Sequence, residues 1–91
     1  MDIMQELYSV IMDRKANPVE GSYTNYLLNK GTEKIAKKVG EEAVETAIAA
    51  AKKNKNEVVA ELADLEYHML VLMADMGLTL EDLYSELKSR R

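Results

Sequence analysis

From Glu57 to Met76 the chain reads as a helix that is apolar nearly all the way round, and that stretch limits what the protein can be. Val58, Val59, Leu62, Ala63, Leu65, Met69, Leu70, Val71, Leu72 and Met73 cover most of its circumference at ~3.6 residues per turn. A helix coated in this way is buried among neighbours. One polar stripe interrupts it, made of Glu57, Glu61, Asp64, His68 and Asp75, with Glu66 alone on the opposite side. Unpaired buried charge is costly, so that stripe must meet water, cations or basic partners.

The rest of the chain supplies the neighbours. Ile3, Leu7, Val10 and Ile11, with Met4 and Tyr8 alongside, follow helical spacing from about Asp2 to Arg14. Pro18 disfavours helix in the residue before it, so Ala16 to Tyr23 is expected to be a loop. Tyr23 to Asn29 reads as a short helix, with Ser22 as N-cap and Gly31 just past its end. A long helix is expected from Thr32, as N-cap, to about Lys53. Ile35, Val39, Ala43, Ala47 and Ala50 mark its apolar side, Lys34, Lys38, Glu41 and Glu45 the other, and Glu42 the boundary. Lys53 to Asn56 is a turn, with Asn56 positioned to cap the apolar helix. Gly77 ends that helix, and Thr79 caps a last one reaching about Ser89 with Leu80, Leu83, Tyr84 and Leu87 inward. The expected fold is therefore all-α, a four- to five-helix bundle in a single domain spanning residues 1–91. Thin neighbours cannot cover all the apolar surface, so a homodimer, or a higher assembly, is expected to complete the core.

Composition removes several function classes. A chain of 91 residues is one domain. It has no cysteine, which excludes disulfides and thiolate metal sites and fits a cytoplasmic setting. The start, MDIMQELYSV, is acidic and amphipathic rather than a signal peptide, and no apolar run nears the roughly 18 residues of a membrane span. A formal charge of −4 argues against nucleic acid as a partner. It leaves room for a phosphorylated small molecule, whose charge a few lysines or a bound cation can meet.

The two long helices set Glu41, Glu42 and Glu45 against Glu61 and Asp64, residues three or four apart sharing a face. Crowded acids repel, so together they imply a cation, and all-oxygen ligation suits Mg²⁺ or Mn²⁺. Zinc would want more than the lone His68, and no Glu-x-x-His pair of the di-iron bundles is present. A blander reading stands beside this one. Glu41 follows Lys37 by four and Glu42 follows Lys38 by four, pairs found on any solvated face. His68 then reads as a partner of Asp64 rather than a ligand, Lys34, Lys37 and Lys38 as solvating unless the acids hold phosphates beside them, and Tyr67 and the methionines as core.

At these residues the sequence resembles a known family. Glu-Glu-x-x-Glu at Glu41, Glu42 and Glu45, then fifteen intervening residues, then Glu-x-x-Asp at Glu61 and Asp64, is similar to the metal signature of the MazG-like all-α nucleotide pyrophosphatases. SYTNYLL from Ser22, KKVGEEAVE from Lys37 and ELADLEYHMLVLM from Glu61 narrow the resemblance to phosphoribosyl-ATP pyrophosphohydrolase, over about Ile3 to Leu87. The resemblance implies Mg²⁺-dependent hydrolysis of the α–β phosphoanhydride of phosphoribosyl-ATP, the second step of histidine biosynthesis. It implies Glu42, Glu45, Glu61 and Asp64 as metal ligands, with Glu41 an added ligand or a positioner of water. Lys34, Lys37 and Lys38 would meet phosphates, and Ser22, Tyr23 and Thr24 would lie at the substrate or pack beside it. Many relatives are fused to the cyclohydrolase of the next step; here that activity is expected on a separate polypeptide. Two other readings remain: a broader nucleoside-triphosphate pyrophosphatase, and a non-catalytic helical dimerisation module whose acids are merely solvated.

Overall fold

A computed structural model describes residues 2–91. They form five helices and no strand: α1 (Ile3–Ala16), α2 (Tyr23–Lys30), α3 (Thr32–Ala51), α4 (Lys55–Met76) and α5 (Leu80–Arg90). The all-α bundle expected from the sequence is what the chain builds. Among the described residues no helix is long and apolar enough to cross a membrane.

Local chemistry sets most of the boundaries. The Asp2 carboxylate accepts from the Gln5 backbone N–H while the Gln5 side chain accepts from the Asp2 N–H, a reciprocal pair that starts α1. Ser22 Oγ starts α2, and Thr79 with Asp82 starts α5 by the same reciprocal device as α1. Three details differ from the sequence reading. The cap of α4 is Asn54, whose Oδ1 accepts from Glu57 N at 3.1 Å, and Asn56 already lies inside the helix. Thr32 is the first residue of α3 and not its cap; its hydroxyl donates instead to Asp75 near the end of α4. Gly31 serves as both the last cap of α2 and the first of α3, at φ 94° and ψ −179°, a conformation open in practice only to glycine.

The core gathers at one end. Ile11 of α1, Leu27 of α2, Ile35 of α3 and Leu70 and Val71 of α4 are each at most 1% exposed. Met73, Ala74 and Leu80 close it, and Met4, Leu7, Tyr8, Leu83 and Tyr84 pack against it. Lys15 donates to the Ala74 carbonyl at 2.7 Å and the Tyr8 hydroxyl donates to that of Leu78, tying α1 to the end of α4. Buried Asn25 pins the loop after α1: its Oδ1 accepts from Val19 N at 2.9 Å and its Nδ2 donates to the Arg14 carbonyl at 2.8 Å.

Beyond this core, α3 and α4, the most extensively packed pair, run on together as an antiparallel hairpin. The apolar side drawn for α3 from its alanines is displaced here: Ala43, Ala47 and Ala50 are exposed, and the inward line is Ile35, Glu42 and Ala49. Those three repeat every seven residues, the period of a two-helix seam. Likewise Ile3, Val10 and Leu87, expected inward, face solvent in the single chain.

Candidate metal centre

The seam between α3 and α4 turns from apolar to acidic where it leaves the core. Ile35 is buried on it, Lys38 half-buried one turn on, and Glu42 buried one turn further. Glu42, Glu45 and Glu61 each bring a carboxylate oxygen within 4.8 Å of the other two. Glu42 Oε2 and Glu61 Oε2 are buried without a hydrogen-bond partner. Two carboxylate oxygens in that condition lose their hydration and gain nothing in return, which is unfavourable unless a cation or proton joins them.

The electrostatics agree. Hydrogen bonding to Glu45, burial, and the charges of Glu45, Glu42 and Asp64 push the Glu61 carboxyl up to about 7. Asp64 is exposed and its oxygens lie outside the group of three, although its charge is felt there. Glu41 is exposed and faces Lys38, whose Nζ lies 3.7 Å from Glu41 and 3.8 Å from Glu42. Burial works against the charge on Lys38, but Tyr23, Glu41 and Glu42 outweigh it and raise its pKa. Lys34 and Lys37 make no ion pair among the described residues.

Of the three residues at the start of α2, only Tyr23 reaches this region. Ser22 spends its hydroxyl on the cap, and Thr24 pairs with the Tyr67 hydroxyl. Tyr23 hydrogen-bonds His68 across 2.9 Å, and the other ring nitrogen of His68 lies 2.6 Å from the carbonyl oxygen of Asp64. Sequence reasoning placed His68 beside Asp64, but nothing in the spacing linked it to a tyrosine 45 residues away. Glu57 was likewise seen only as part of a stripe. It joins Glu45, Ile48, Ala49 and Glu61 around a cleft of about 270 Å³ at the outer end of the acid cluster.

Oxygen-only donors, a lysine at the rim and orphaned carboxylates make a site that can hold a hard divalent cation and, through it, an anionic ligand. A model of the family described as phosphoribosyl-ATP pyrophosphohydrolase matches residues 4–91. The phosphoribosyl-ATP pyrophosphatase of Clostridium novyi is 53% identical over the whole chain, which spans 83% of that protein. That of Saccharolobus solfataricus is 51% identical over 99% of the chain and 96% of its own length. The histidine biosynthesis bifunctional protein HisIE of Thermoanaerobacter pseudethanolicus is 58% identical over 92% of the chain, which covers only 39% of that longer protein. The acid cluster thus lies within a match that is nearly full-length, and the chain belongs to the phosphoribosyl-ATP pyrophosphohydrolase family of enzymes.

Proposed function

We propose that this chain hydrolyses the α–β phosphoanhydride of phosphoribosyl-ATP, releasing pyrophosphate and phosphoribosyl-AMP, as a step of histidine biosynthesis. The observation that carries the reading is the pair of orphaned buried oxygens on Glu42 and Glu61, set beside Glu45 in a chain of this family. Glu42, Glu45 and Glu61, with Asp64 beside them, would hold Mg²⁺, with Mn²⁺ as the alternative. When bound, the ion supplies neutralisation of phosphoryl charge and a lowered pKa for water. The chain's own residues do the rest. Glu42 and Glu61 fix the position of that charge from two helices packed along their length, and Lys38 offers a mobile ammonium to a phosphate oxygen once a cation replaces it at Glu42. Glu41 and Lys37 lie at the rim, where a phosphate tail extending into solvent would meet them.

A homodimer belongs to the same proposal. Val44, Ile48, Val59 and Leu62 stand 59%, 51%, 68% and 42% exposed on the hairpin. Burial of such surface is worth about 25 cal/mol per Å², and a second copy presents the same complementary face. The bifunctional relative also suggests that the product passes to a cyclohydrolase. The setting is proposed to be cytoplasmic, where such a pathway runs.

The deciding experiment is pyrophosphate release from phosphoribosyl-ATP, ATP and deoxynucleoside triphosphates, each with Mg²⁺ and with a chelator. Release from phosphoribosyl-ATP alone, abolished by chelator, is the expected result. Release from all of them would move the assignment to a broad nucleotide pyrophosphatase, and release from none would leave a helical dimerisation module.

A further inference from the structure

The hydrogen-bond chain behind Tyr23 fixes what its hydroxyl can do. A carbonyl oxygen only accepts, so the His68 Nδ1 that lies 2.6 Å from the Asp64 carbonyl carries a proton. In neutral imidazole the other nitrogen is then bare, so across the 2.9 Å contact Nε2 accepts and Tyr23 donates. His68 is 5% exposed, and the rings of Tyr23 and Tyr67 meet it edge-on at 5.8 and 5.1 Å, so water cannot readily take over as its partner. The phenol proton is committed inward. Toward the acid cluster, where Lys38 and Glu42 lie near enough to act on it, the phenolic oxygen offers lone pairs only.

An acceptor-only oxygen cannot bond a phosphate, whose exposed oxygens are acceptors too. Lys38, the adjacent donor, is the group left to meet a phosphate once a cation takes its place at Glu42, so the Tyr23 oxygen falls to the unit joined to that phosphate. On a nucleotide the first donor-bearing unit joined to the α-phosphate is its ribose, through the 2′- and 3′-hydroxyls. The ring of Tyr23 also walls an open cleft of about 700 Å³ between residues 18–22 and α2, which offers room for a base beyond the sugar. Resting on the nucleotide reading above, we infer that Tyr23 accepts a hydrogen bond from a ribose hydroxyl of the nucleotide. Tyr23 thereby fixes which end of the substrate lies against α2. The phosphates then lie toward the cluster of Glu42, Glu45 and Glu61.

The test is equilibrium binding of AMP, 2′-deoxy-AMP and 3′-deoxy-AMP, by calorimetry with Mg²⁺, to the full chain and to Tyr23→Phe. Phenylalanine keeps the ring against Tyr26 and Tyr67 and removes only the oxygen. The unsubstituted protein is expected to bind AMP about three- to tenfold more tightly than one of the deoxy forms, the size of one net hydrogen bond. Tyr23→Phe is expected to bind AMP and that deoxy form alike, which a merely structural loss would not produce. Retention of the preference in Tyr23→Phe, no preference in the unsubstituted protein, or no binding of AMP would each overturn the inference. Nucleotide binding without pyrophosphate release from phosphoribosyl-ATP would instead count against the proposed reaction alone.

Discussion

The two ends of the α3–α4 pair are built on opposite terms. At the core end, α1 and α2 pack against α4, Leu80 of α5 closes the cluster, and Leu27, Ile35 and Val71 have no exposure at all. On the hairpin, no third helix among the described residues covers the pair, and Val44, Ile48, Val59 and Leu62 stay open while carboxylates occupy the seam. One end is held by the hydrophobic effect within the chain. The other is left short of apolar partners and carries repelling charge, so it depends on what binds to it. The centre sits where the two meet, anchored by the first and electrostatically unsatisfied because of the second.

Substitutions should separate the two ends. Glu45→Ala or Glu61→Ala should abolish pyrophosphate release and the rise in melting temperature on adding Mg²⁺, with the helical circular dichroism spectrum retained. Full activity in either variant would remove the metal-site assignment. In the core, Leu70→Ala should cost about 2–5 kcal/mol in urea unfolding, because its surroundings can collapse only partly onto the space left. A loss below about 1 kcal/mol would mean that this end is no better packed than the hairpin. Val59→Asp with Leu62→Asp should turn a dimer into a monomer in light scattering. An unchanged mass would show that this face is not the contact between copies.

Acidity gives a finer probe of the same contrast. The Glu61 carboxyl is raised to about 7 in the folded chain from its ordinary 4.5, so over that interval the folded chain holds a proton that the unfolded chain has lost. Its contribution to the stability of the cation-free protein is therefore fully present below about 4.5 and is lost as pH rises through about 7. A divalent cation must displace that proton, so affinity should climb with pH up to about 7 and then level. Calorimetric titrations at pH 6 and pH 8 check this, and equal affinities would show that Glu61 carries no such proton. The smallest effect is expected at the far turn, where Asn54→Ala should cost about 1 kcal/mol through loss of the α4 cap, and Asn56→Ala close to nothing.

Much of this was legible in the sequence where the signals are local. Ser22, Gly31, Gly77 and Thr79 bound their helices as their chemistry requires. Helical spacing groups Glu41, Glu42 and Glu45 on one helix and Glu61 with Asp64 on the other, of which the fold brings Glu42, Glu45 and Glu61 together. The side of α3 was harder to read, since alanines weigh little on a wheel and a seam residue that is a glutamate reads as surface. Ile35, Glu42 and Ala49 keep a seven-residue beat that hydrophobicity alone hides. Asn54 and Asn56 are equally good caps by type, and Lys53, at φ 61°, settles the choice by ending α3 early. The bond from Tyr23 to His68 joins residues far apart in the chain, and only the folded arrangement of α2 on α4 creates it.

The single glycine between α2 and α3 works like a keyed shaft coupling. With Gly31 as the whole connection, the angular phase of α3 about its axis is geared to that of α2. One inserted residue would advance α3 by about 100° and 1.5 Å, swinging Glu42 off the seam while Tyr23 stayed at its post. The clearance between the tyrosine and the acids is thus machined into one pair of backbone angles, and drift in loop length, harmless in most helical proteins, is denied at this joint.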